Sequence, residues 1–103
     1  MAVQQINKAT FEQLVHHGDK PVLVDFFATW CGPCKAFAPT LEAVAQAYEG
    51  RVDVVKVDVD AEPELARQFR VMSIPTLVLM ENGQVKEKRV GVQGQADVEA
   101  MLG

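Results

Sequence analysis

Apolar and polar residues alternate in short blocks along this chain, and the period of alternation changes from block to block. Residues 2–6, AVQQI, read as a short first strand. Phe11, Leu14 and Val15 then recur at the spacing of one helical face. Thr10 with Gln13 fits a capping box at the start of that helix, and Gly18 and Pro21 are stop signals. VLVDFFA, residues 22–28, is rich in β-branched and aromatic residues and predicts a central strand. It is apolar on both faces except at Asp25, as in a strand covered by helices on both sides.

After the sequence WCGPC a long helical pattern sets in. Leu41, Val44, Ala45 and Tyr48 form its stripe, Gly50 closes it, and Pro39 inside it predicts a kink or break. VDVVKVDV reads as the next strand and DAEPELARQF as a helix capped by Asp60, with Leu65 and Phe69 inward. IPTLVLM is a strand opened by Pro75, Asn82-Gly83 is a strong hairpin signal, VKEKRVGV is the returning strand, and ADVEAML is a final helix. The order β-α-β-α-β-α-β-β-α predicts an α/β fold, a mixed sheet with helices on both faces.

At 103 residues the chain is expected to be a single domain, residues 1–103. Its net charge of −4 argues against nucleic acid as a partner. No apolar run is long enough to span a membrane, and the first residues after Met1 lack the apolar core of an export signal. A cytoplasmic location is therefore expected, where cysteine pairs are more often catalytic or metal-binding than structural.

The two cysteines, Cys31 and Cys34, are the candidate chemistry. A closed zinc site needs four ligands, and the two histidines available, His16 and His17, are adjacent rather than three to five residues apart. Covalent haem requires histidine after the second cysteine, where this chain has Lys35. No metal is expected. A static bridge this short constrains the unfolded chain little. Redox exchange remains. If the helix begins at about Cys31, the two thiols are i and i+3 neighbours within disulfide reach. Gly32 and Pro33 fill the first turn, where proline forfeits no hydrogen bond. Cys31 is then the exposed nucleophile facing the positive end of the helix, and Cys34 the more buried, resolving thiol. Bringing an ordinary thiol to a pKa near neutrality takes about 2 kcal/mol. The helix end supplies about 0.3–1 kcal/mol. A hydrogen bond to the Cys31 sulfur, from the Cys34 thiol or from backbone amides, is expected to supply the rest.

VDFFATWCGPCKAFAPTLEAVA, VVKVDVD, SIPTLVLMENGQ and the VG before the last helix together resemble the thioredoxin family over the whole chain. The near-neutral thiol is a property of that family and belongs to the resemblance. The resemblance implies a central five-stranded mixed sheet flanked by four helices, and a monomer that reduces protein disulfides. Trp30, Cys31, Gly32, Pro33 and Cys34 match the active-site motif. Asp25 matches a buried carboxylate that accepts a proton, and Lys56 the basic neighbour that tunes it. Ile74 and Pro75, with Pro75 cis, and Gly91 match the substrate-docking surface, and Pro39 matches a helix kink. No cofactor is expected to bind; NADPH enters indirectly through a partner, thioredoxin reductase. The other partners are disulfide-containing target proteins. Phe27 stands where many members carry a second tryptophan, and Thr29 where an acidic or other polar residue is common. A different class of function, a binding module in which the cysteines are incidental, is separated by a double Cys→Ser variant. Residues 86–89, KEKR, read as a solvated strand face, and Phe11, Phe26, Phe37 and Phe69 as core.

Overall fold

A computed structural model describes residues 2–103; of the domain expected over 1–103, Met1 lies outside the described residues. Five strands and four helices follow in the expected order: β1 (Gln4–Gln5), α1 (Lys8–His17), β2 (Val22–Phe27), α2 (Gly32–Ala47), β3 (Asp53–Asp58), α3 (Pro63–Gln68), β4 (Thr76–Glu81), β5 (Gln84–Val90) and α4 (Gln95–Leu102). They form one sheet in the order β1-β3-β2-β4-β5. β1 and β2 run parallel to β3, while β4 is antiparallel to both β2 and β5. The mixed sheet with helices on both faces is as the sequence implies.

Strand alternation divides the interior in two. Val22, Val24 and Phe26 of β2 pack with Phe11 and Val15 of α1, Leu65 of α3 and Phe69 at the C-cap of α3. Leu23 points the other way, with Phe37, Leu41 and Val44 of α2 and Val98 and Met101 of α4. Phe11, Phe26 and Phe37 are fully enclosed, and burying each stabilises the fold by about 1.5–3 kcal/mol. Phe69 is half-buried, its ring against Phe11 at 5.4 Å and Phe26 at 5.7 Å.

Two helix starts differ from the sequence expectation. α1 is capped by Asn7, whose side chain accepts the Thr10 N–H at 2.9 Å, so Thr10 is inside the helix. Asn7 lies three residues earlier with an equally good capping side chain, and local sequence does not rank the two. α3 starts at Pro63 after Glu62, with no side-chain cap, and Asp60 is engaged elsewhere. α2 runs unbroken through Pro39; the missing N–H removes one bond of the ladder, and packing on the sheet carries the rest. The chain leaves α3 with Arg70 at φ 53°, a left-handed position usually taken by glycine. There the Arg70 N–H donates to the Arg67 carbonyl and the Val71 N–H to the Ala66 carbonyl. Lys88 of β5 donates to the carbonyls of Phe69 and Arg70 at 2.8 and 3.0 Å, so KEKR is more than a solvated face.

The hairpin forms at Asn82-Gly83, with φ of 54° and 77°. β5 carries an irregularity opposite Leu79 and Met80. The antiparallel β4 matters most for function. Thr76, its first residue, lies opposite Phe26, near the last residue of β2. The loop before β4 therefore meets the loop after β2.

Candidate functional site

Cys31 caps α2. Its Sγ accepts the Cys34 N–H at 3.2 Å, and Gly32 and Pro33 form the first turn. That is the amide bond to sulfur expected from the sequence. Cys31 and Cys34 are joined as a disulfide with Cα atoms 5.2 Å apart. The expected difference in exposure is not there: Cys31 is 4% exposed and Cys34 5%. Depth along the helix predicted the difference, but the chain before β4 folds back over Cys31. The Ile74 carbonyl oxygen lies 3.9 Å from Cys31 Sγ, and the Ile74–Pro75 bond is cis. What separates the two sulfurs is position relative to the helix, not depth.

Asp25 is buried on the α2 side of β2, 4% exposed, and its Oδ1 has no hydrogen-bond partner. Burial pushes its pKa from 3.8 up to about 7, against the opposing charge of Lys56. Lys56 stands beside it in the parallel register of β3, yet no ion pair joins the two among the described residues. The Lys56 ammonium lies instead 5.1 Å from the centre of the Phe27 ring. Two cavities meet at Asp25. One, of about 250 Å³, is shared with Cys34, Phe27, Ala28 and Lys35. The other, of about 290 Å³, runs under Val3, Pro39, Leu41 and Glu42.

Trp30 is 68% exposed, and its indole N–H donates to Asp60 Oδ2 at 2.7 Å. Asp60 is thus a site residue rather than a helix cap. Its position after β3, on the same sheet end as Cys31, was the available signal. Gly91 takes φ 94°, which disfavours other residues, and its N–H donates to the Pro75 carbonyl at 2.8 Å. Met72, Val90 and Val92 are exposed on the two segments so joined, and the sequence reading did not single them out. His16 and His17 end α1, with His16 beside the Gly83 turn at the opposite end of the sheet from the cysteines.

The sequence profile of the thioredoxin family matches residues 2–103. A thioredoxin of Alicyclobacillus acidocaldarius is 46% identical over 101 residues, covering 98% of this chain and 95% of that protein. A bifunctional thioredoxin reductase/thioredoxin of Mycobacterium leprae is 49% identical over 92 residues, 89% of this chain and 20% of that one. The structure of Malassezia sympodialis thioredoxin superposes with a TM-score of 0.88 at 36% identity, covering 97% of this chain and 87% of the other. Among the described residues no helix is long and apolar enough to cross a membrane. A cysteine pair closed across the first turn of a helix, on this fold and with these relatives, has one place: the chain belongs to the thioredoxin family and is a thiol–disulfide oxidoreductase acting through Cys31 and Cys34.

Proposed function

We propose that Cys31 is the attacking thiol, Cys34 the resolving thiol and Asp25 the proton acceptor in the reduction of protein disulfides. The observation that carries this reading is the shared cavity between Cys34 and a buried carboxylate lacking a partner. In the reduced protein the Cys34 amide and the start of α2 favour a thiolate on Cys31. It attacks one sulfur of the target disulfide, and the other leaves as a thiolate. Asp25 then takes the Cys34 proton, which its pKa of about 7 suits at neutral pH. Cys34 attacks Cys31 Sγ, the Cys31–Cys34 bond closes, and the second target thiolate leaves. Two electrons pass from the pair to the target, whose sulfurs end protonated.

Lys56 holds Asp25 from rising further. Trp30, Gly32, Pro33, Ile74, Pro75 and Gly91 form the rim on which the target lies. The protein acts as a cytoplasmic monomer, and a thioredoxin reductase using NADPH restores its dithiol. The name of the Mycobacterium leprae relative, which joins the two activities in one chain, supports that partner.

Trapping tests the assignment. Cys34→Ser accumulates mixed disulfides between Cys31 and target proteins, and Cys31→Ser accumulates almost none. Faster alkylation of Cys34 than of Cys31 in the reduced protein reverses the roles. Reduction of a protein disulfide by NADPH and a thioredoxin reductase through this chain tests the partner.

A further inference from the structure

The sulfur atoms of this chain are unequally placed. In the oxidised protein both cysteines are tied in the disulfide and no thiol is free. Met80 and Met101 are each 4% exposed inside the two cores. Met72 is 92% exposed and belongs to neither core. Among the described residues it is therefore the sulfur that a small oxidant in solution meets first.

Its position makes that exposure consequential. Met72 lies two residues before Ile74, whose carbonyl faces Cys31. The segment is fixed on both sides, by Lys88 at the carbonyls of Phe69 and Arg70 and by Gly91 at the Pro75 carbonyl. Trp30, Met72, Val90 and Val92 are the large apolar residues left exposed on the segments at this end of the sheet. An unbranched thioether suits a surface that must accept targets of different shape.

We propose that Met72 is a modification site: peroxide converts it to the sulfoxide, and this selectively weakens docking of protein disulfides. The thioether sulfur attacks one peroxide oxygen. An S–O bond forms as the O–O bond breaks, and the departing hydroxide takes a proton and leaves as water. Sulfur is oxidised by two electrons and peroxide is reduced by two. The product places a strongly polar group where a target would cover it. The Cys31–Cys34 bond is untouched, so reduction of a small disulfide that needs little contact is unaffected. This inference rests on the docking rim proposed above.

The oxidised protein is treated with hydrogen peroxide, and sulfoxide is mapped by peptide mass spectrometry. Met72 is expected to react at least about tenfold faster than Met80 or Met101. After removal of peroxide, KM for a protein disulfide rises about tenfold, or about 1.4 kcal/mol, while the rate with a small aromatic disulfide holds. Methionine sulfoxide reductase reverses the change. Met72→Leu, which keeps Met1, shows the same KM before and after peroxide; a rise in this variant places the effect elsewhere and overturns the proposal. Met72→Gln serves as a permanent polar substitute. If Met72→Gln leaves KM for the protein disulfide at the parent value, the docking rim is misplaced and the proposal falls with it. If Met72→Gln raises KM but peroxide does not select Met72, the rim stands and the modification site is refuted.

Discussion

Replacing Asp25 with alanine removes a carboxylate that the fold holds at a cost. Its pKa moves from 3.8 in the open chain to about 7 in the folded protein, because burial disfavours the ionised form more than Lys56 favours it. At about 1.4 kcal/mol per decade, ionised Asp25 destabilises the fold by about 4 kcal/mol. The raised folded pKa means that the native state binds the proton more tightly. Stability from this group is complete below about pH 4 and lost as pH rises through about 7. Trimming the side chain to alanine costs about 1 kcal/mol in lost contacts at every pH. Asp25→Ala is therefore slightly less stable than the parent near pH 4, equal to it at about pH 4.5 and about 3 kcal/mol more stable at pH 8. Urea melts of both oxidised proteins from pH 4 to 8 measure this, and groups common to both cancel in the difference. Single-turnover reduction of a model disulfide is the companion measurement. Resolution by Cys34 slows about 10²-fold at pH 7 when its acceptor is gone. A stability difference that stays constant across this range refutes the buried ionisation. Resolution at the parent rate refutes the role in proton transfer.

Lys56→Met removes the charge that opposes burial, so the Asp25 pKa rises further and the pH at which stability stops falling moves up, read from the same melts. Arg70→Gly relieves the left-handed backbone after α3 and stabilises the protein by up to about 1 kcal/mol, seen as a higher urea midpoint with unchanged slope. Asp60→Ala frees the indole of Trp30, the chain's single tryptophan, so its fluorescence anisotropy falls; Asp60→Asn keeps an acceptor and most of the anisotropy. The stability change in either Asp60 variant stays within about 1 kcal/mol, because the bond is at the surface.

The sequence revealed what depends on periodicity and on rare residues in unusual settings. Val22, Val24 and Phe26 against Leu23 declare a strand buried on both faces, and Asp25 stands out because no other charge interrupts that run. Asn82-Gly83 fixed the hairpin because few pairs tolerate two positive φ angles in succession. What stayed illegible depends on contacts distant in the chain. Cys31 is covered by a loop around residue 74, which no helical wheel contains. Asp60 serves Trp30 across thirty residues, although its local setting looked like a helix start. Lys88 and Arg89 read as solvated, yet Lys88 reaches two carbonyls just past the end of α3 and Arg89 reaches one in α4. The choice of Asn7 over Thr10 as cap shows the limit even at short range, since both side chains suit the task.

The direction of β4 has an architectural consequence. It places the loops after β2 and β3, before β4 and after β5 at one pole of the sheet, where Cys31, Asp60, Ile74 and Gly91 stand. The joints 18–21, 48–52 and 82–83 gather at the other, with β2 beginning opposite Asp53 and Met80. The molecule thus has a working pole and an idle one, with the length of a six-residue strand between them. Lengthening a joint at the idle pole leaves the spacing of the sulfurs, the carboxylate and the rim unchanged. The idle pole is therefore where a handle, a fluorophore or a second domain can be grafted while the redox end stays open to its targets.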